Sequence, residues 1–231
     1  MGPGSYSKLA CSHDGGVTRI VMDDGKVNAV SLDLIAELHA AFDGARERED
    51  IVLLQGRAGM FSAGFDLKYL GSSAEAAVEL VAAGARLAGR IMRHPEPVIA
   101  GCTGHAYPMG AFILMSADFT VGVAGDFRLG MNEVAIGLTV PGFALELARY
   151  RLSPPWFRRG VSAGRLFSPQ EALAAGLLDE IVDAPDLPAA LTARAAEYAA
   201  VDRAAFRGTK QKMHSEFLRR YDAVIAAELA G

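Results

Sequence analysis

Apolar positions along this chain fall into short unbroken runs and into stretches with helical periodicity, and the two kinds alternate. Val17–Met22 (VTRIVM) is rich in β-branched residues and stops at Asp23-Asp24-Gly25, which predicts a strand entering a turn. After Ser31, the positions Leu34, Ile35, Leu38, Ala41 and Phe42 share one helical face, so a helix capped by Ser31 is expected over 31–46. Ile51–Gln55 (IVLLQ) has the continuous apolar character of a strand buried on both faces. A loop over 56–64 and a short helix over 65–70 follow. Ser72 and Glu75 have capping-box spacing and open a helix that Pro95 ends. Further strands are expected at 97–102, Phe119–Val123, 127–129 and 179–182. Helices are expected at 109–116, 142–150, 155–163 and Pro169–Ala175, the last opened by the capping box Ser168-Pro169-Gln170-Glu171. After Pro185 the pattern is helical only.

Strands alternating with helices predict an α/β architecture. The expected organisation is a core over 6–183 and a C-terminal helical segment over 184–231, whose apolar face must be buried on that core or on a neighbouring subunit. With 231 residues the chain can bury a sizeable core unaided. Hydrophobic residues make up 51% and charged residues 22%, which argues against disorder and coiled coil. The net charge of −4 offers no basic stripe for a phosphate backbone, so no nucleic-acid partner is expected. The most apolar stretch, near 106–117, stops at Asp118, short of the ~20 residues a spanning helix needs. The N-terminus shows no apolar signal-peptide core, and Gly2-Pro3-Gly4-Ser5 resembles a tag remnant. Two separated cysteines, Cys11 and Cys102, give neither a disulfide framework nor a metal-binding spacing, and a reducing cytoplasm is the expected location.

Three segments could carry chemistry. In Gly59-Met60-Phe61-Ser62-Ala63-Gly64-Phe65-Asp66-Leu67-Lys68 a small-residue loop enters a helix, whose first N–H groups have no internal partner and can bind an anion or developing oxyanion. The alternative is a tight turn packed for steric reasons. Gly101–Ala111 repeats the arrangement, and two such helix starts side by side could form an oxyanion hole. In 130–138, Glu133 stands alone among apolar residues. It reads either as a surface residue at a loop start or as a desolvated carboxylate usable as a base near neutrality. No P-loop, G-x-G-x-x-G motif or metal cluster is visible, so neither a metal nor a redox cofactor is implied.

In this order the segments resemble the crotonase superfamily, the enoyl-CoA hydratase/isomerase family. FSAGFDLK is similar to its F-x-A-G-x-D-L loop, PVIAGCTGHAYPMGAFILMSAD to its P-V-I-A-x-x-x-G-x-A-x-G-G-G segment, NEVAIGLTVPG to P-E-x-x-x-G-x-x-P-G, and SPQEALAAGLLDEIV to A-x-E-A-x-x-x-G-L-V-D-x-V. The resemblance implies a crotonase-like spiral of repeated ββα units with a C-terminal helical segment. It also implies homotrimers or dimers of trimers, and an acyl-CoA thioester as substrate, with coenzyme A arriving as part of it. The implied oxyanion donors are the backbone N–H groups of Phe65 and Met109. The implied CoA contacts are Lys26, Ala29, Ser62, Ala63, Asp66, Leu67 and Lys210, although Lys26 and Lys210 read equally well as solvated surface residues. Aligned with the family's hydratases, Glu133 matches the second of two glutamates and Phe112 stands where the first would be. A single base suffices to move a double bond, whereas adding water needs a positioned water and a proton source. The expectation is therefore a 3-enoyl-CoA to 2-enoyl-CoA isomerase with Glu133 as base. Hydratase, other thioester chemistry and a silent acyl-CoA binder are the alternatives. His105, at the same turn as Thr103, is expected to line the pocket, either packed or as a second proton carrier.

Overall fold

The computed structural model describes residues 6–229; Gly2-Pro3-Gly4-Ser5 lies outside them. Strand β1 (Leu9–Asp14) and β2 (Val17–Met22) form an antiparallel hairpin about Gly15-Gly16, whose φ values of 56° and 77° suit glycine. The sequence pattern did not reveal β1, because five of its six residues are exposed or half-buried, on both faces, and the alternation is lost. Helix α1 (Leu32–Glu47) crosses over to β3 (Ile51–Gln55), which lies parallel to β2, and Ser31 Oγ caps α1 by accepting from Leu34 N–H.

Two ββα units follow. The first is β4 (Gly59–Ser62), the one-turn helix α2 (Leu67–Leu70) and α3 (Ala74–Arg93) after β3; the second is β5 (Val98–Cys102), β6 (Gly104–Ala106) and α4 (Pro108–Met115). In each unit the first strand joins a six-stranded sheet and the second turns into a small sheet beside it. The chain continues through β7 (Phe119–Val123), α5 (Gly142–Arg151), α6 (Pro154–Ala163), α7 (Pro169–Ala175), β8 (Glu180–Val182), α8 (Leu187–Ala199) and α9 (Arg203–Leu229). The large sheet runs β1-β2-β3-β5-β7-β8, parallel except at β1, and β4 pairs in parallel with β6.

The unbroken apolar run of β3 has a direct cause. Val52 and Leu54 face the main helical core with Leu34, Phe42 and Ile91, while Ile51 and Leu53 face a second core closed by Leu187 and Leu191 of α8. The apolar face of the C-terminal segment is thus buried on this chain's own core. Tyr221 of α9 is fully buried, and its hydroxyl donates to Ala85 O of α3 at 2.8 Å.

Three expectations need correction. The cap of α3 is Ser73, whose Oγ accepts from Ala76 N–H, whereas Ser72 Oγ donates back to Tyr69 O. Over 127–129 only Leu129 makes bridges, to Ala106 and Phe167. The loop expected over 56–64 contains β4, too short to show a period of its own.

Candidate active site

Asn28 holds the first loop in place. It is fully buried at φ 51°, a conformation asparagine tolerates better than most residues, and its Nδ2 donates to Met22 O at 2.9 Å and Phe61 O at 3.1 Å. Its carbonyl accepts from Ser62 Oγ at 2.7 Å. The loop is then stitched to the next strand of chain: Ala63 N–H donates to Val27 O, Val30 N–H to Gly64 O and Asp66 N–H to Val30 O. This pairing uses the Gly64 carbonyl and the Asp66 N–H, on either side of the Phe65 N–H. Among the described residues, Phe65 N–H itself has no acceptor.

Phe65 therefore is not the start of a helix, as expected from the sequence; α2 begins two residues later. The Asp66 carboxylate caps α2, accepting from Lys68 N–H and Tyr69 N–H. The other loop does open a helix, one residue earlier than expected. Pro108 is the first residue of α4 and lacks an N–H, and Met109 N–H, next in the first turn, has no acceptor among the described residues. Gly64, at φ 90°, brings the two loops together: a Cβ there would lie 3.8 Å from Met109 N.

Gly64, Phe65, Tyr107 and Pro108 form one wall of a cleft of about 530 Å³. Phe112 closes another part of it, 1% exposed and edge-to-face with Phe143 at 5.4 Å. Glu133 faces the same space from the residue before a short 3-10 turn, Val134–Ile136. It is 7% exposed, and its Oε2 has no hydrogen-bond partner among the described residues. Burial pushes its carboxyl above the usual glutamate range, only partly opposed by the hydrogen bond from its own backbone N–H. It is the one carboxylate among the described residues lining the cleft. Leu67, Ile136 and Leu138 also line it and are 73%, 58% and 49% exposed, an apolar mouth open to solvent.

Of the residues expected at the site, Ala63, Phe65, Leu67, Phe112 and Glu133 meet in this cleft. Lys26 is exposed and Ala29 half-buried on the adjoining loop, where Ala29 N–H donates to the Asp24 carboxylate. Three assignments change. Ser62 is fully buried and spends its hydroxyl on Asn28 O and Gly64 N–H, so it shapes the loop instead of facing a ligand. His105 is not among the cleft residues: its Nδ1 accepts from Arg128 N–H at 3.1 Å and its ring stacks on Tyr107. Lys210 is 6% exposed, and its ammonium is paired with Asp118 at 2.5 Å, which removes it from the surface. Cys102, close in sequence, is no nucleophile, because burial pushes its thiol up to about 12. Asn132, Thr139 and Tyr107 add the polar groups of the cleft. Only the apolar residues two apart after Glu133, Ile136 and Leu138, hinted at a lining loop.

The fold and cleft define a class: a parallel α/β protein in which two loops meet with the N–H groups of Phe65 and Met109 left without acceptors among the described residues, next to a cleft lined by one desolvated carboxylate. Residues 12–230 match the Enoyl-CoA hydratase/isomerase family. A probable enoyl-CoA hydratase, echA17, of Mycobacterium avium is 34% identical over 179 residues, covering 76% of this chain and 68% of the relative. A solved enoyl-CoA hydratase/isomerase family protein from Pseudomonas syringae is 43% identical with a TM-score of 0.95, covering 96% and 97% of the two chains. A Mycobacterium tuberculosis protein, described in one structure as an enoyl-CoA isomerase and in another as a probable enoyl-CoA hydratase, is 34% identical in the first with a TM-score of 0.91, covering 96% and 99%. The chain belongs to the enoyl-CoA hydratase/isomerase family and is an enzyme of the crotonase superfamily, whose members act on acyl-CoA thioesters.

Proposed function

We propose that this enzyme shifts the double bond of a 3-enoyl-CoA to the 2-position, with Glu133 as the proton carrier. The observation that carries this reading is the pairing of one cleft carboxylate with Phe112, which supplies no second acid or base. Glu133 takes a proton from C2, and the C–H electron pair moves into the thioester to give a dienolate. Phe65 N–H and Met109 N–H hold the developing oxyanion. As the oxyanion's electron pair restores the thioester carbonyl, the C1–C2 pair becomes the C2–C3 double bond and the C3–C4 pair takes the proton back from Glu133 at C4. The largely apolar lining offers few groups that would hold a water beside the dienolate. The remaining polar cleft groups, Tyr107, Asn132 and Thr139, include no carboxylate, which disfavours the hydratase alternative suggested by the name of the Mycobacterium avium relative.

The acyl-CoA is bound as Leu67 and Ala63 receive the pantetheine arm, with Asp66, Lys26 and Ala29 toward the nucleotide end. Assembly as a homotrimer or dimer of trimers and a cytoplasmic location belong to the same reading; among the described residues no helix is long and apolar enough to cross a membrane. Glu133→Gln keeps the shape of the cleft and removes the base. It is expected to lower turnover of a 3-enoyl-CoA by about 10²–10⁴-fold, read from the rise of conjugated-thioester absorbance. Undiminished turnover would overturn the assignment.

A further inference from the structure

A second cavity, of about 420 Å³, lies where α1 and α3 end and shares no residue with the cleft. Arg86, Arg90 and Arg93 follow one another at helical spacing and form a stripe on α3. Ala77 and Val81, the α3 residues that line the cleft, lie on roughly the opposite side of the helix. The stripe meets Arg46 of α1 and His94 to enclose the cavity.

Charge there is poorly compensated. Arg90 and Arg93 each hold one exposed partner, Asp43 at 2.6 Å and Asp222 at 2.5 Å. Arg46 and Arg86 have no ion-pair partner among the described residues. The two helix C-termini, each worth about half a negative charge, account for basic residues in their last turns but not for Arg86, which lies further back. His94 is 3% exposed, packs edge-on to Phe42, and has an Nε2 with no partner among the described residues. Burial, with Lys210, Arg90 and Arg46 nearby, holds its imidazole down to about 4. A buried imidazole nitrogen left unpaired beside four guanidinium groups, in a chain of net charge −4, calls for an anion that brings both negative oxygens and a hydroxyl.

We propose that this cavity binds a phosphoryl group, clasped by the guanidinium groups of Arg46, Arg86 and Arg90 with His94 Nε2 meeting its P–OH. Arginine forks match phosphate oxygens two at a time, which chloride cannot exploit. Free phosphate and the phosphoryl end of a small phosphorylated metabolite share this chemistry.

The test follows the His94 ring resonances of histidine-labelled full-length protein, with exposed His13 as internal control. Inorganic phosphate and pyrophosphate are titrated separately at constant ionic strength, balanced with sodium chloride. A saturable shift of His94 but not His13 is expected. Saturation by phosphate itself assigns the site to the free anion; saturation by pyrophosphate alone assigns it to a phosphorylated metabolite. The double variant Arg46→Ala/Arg86→Ala should weaken binding at least about tenfold by removing charge-assisted contacts, while enoyl-CoA turnover stays unchanged. Three results would overturn the proposal: no saturable shift with either probe at millimolar concentration, equal binding by the double variant, or a fall in oligomer size in that variant, which would mean that a second copy's carboxylates fill the cavity.

Discussion

Glu133 was visible in the sequence as a lone acid among apolar residues, but its burial was not, since nothing in the local pattern tells a loop start at the surface from one facing a cleft. Its unpaired Oε2 makes it costly to the fold. The folded-state pKa is raised, so the folded protein holds this proton more tightly than the unfolded chain does. The contribution to stability is complete below the unfolded pKa and is lost as pH rises through the folded one. At neutral pH Glu133→Gln should therefore be more stable than the parent while being inactive, and a gain near 1 kcal/mol would raise Tm by about 2–4 °C. Thermal unfolding of both proteins at acid and neutral pH checks this, and the difference should shrink at acid pH. For the base itself the sign is reversed in use: kcat/KM should climb as pH rises through the same elevated pKa, because only the carboxylate can take a proton. Lys210 shows the opposite failure of legibility. An isolated lysine on a polar-looking helix reads as surface, yet it is buried against Asp118, whose Oδ2 also accepts from Val98 N–H. Lys210→Ala should cost about 3–5 kcal/mol by leaving the half-buried Asp118 without its counter-charge, and should leave the KM for acyl-CoA unchanged. A raised KM with unchanged stability would restore the CoA-phosphate role.

At the level of elements, the long periodic helices and the continuous apolar strands were legible because each is buried on a face that its period reveals. The short strands β4 and β6 were not, since three or four residues cannot display a period, and they form through close approach of backbones. Gly104 sits against Gly59, where a Cβ would come within 2.1 Å of the backbone, and Gly110 lies against Ser62. The positions of the Phe65 and Met109 N–H groups depend on this packing and on α3. A Cβ at Gly84 would lie 2.5 Å from the Phe65 ring and 2.9 Å from Met109 Sδ. Gly84→Ala is thus expected to displace one or both N–H donors and lower kcat by about 10²-fold, the scale of losing one such donor, with a helix that is otherwise favoured by alanine. Steady-state kinetics with circular dichroism separates this from unfolding. Asn28→Ala acts on the other loop: Met22 O and Phe61 O lose their buried donor, and chemical denaturation should show a loss of about 2–3 kcal/mol.

For the whole molecule, the sequence indicated the α/β class and the order of its segments, and the resemblance supplied the spiral. Neither indicated how the C-terminal helices are spent. In the structure α8 closes the second face of the large sheet, and α9 packs on α3 and α5. The last helix is also tied down by charge, with Arg203 donating to the fully buried Glu96 at 2.6 Å. These contacts hold α3, whose Gly84 lies against the Phe65 ring and Met109 Sδ. The central claim is that one carboxylate over two backbone donors performs double-bond migration and not hydration. Its most direct test offers the purified enzyme a trans-3-enoyl-CoA and a trans-2-enoyl-CoA in separate reactions, following conjugated-thioester absorbance and identifying products by mass. Fast conversion of the first to its conjugated isomer, with little water added to the second, is the predicted result. Fast hydration of the second substrate would contradict it, because a second acid or base would then have to act where Phe112 stands.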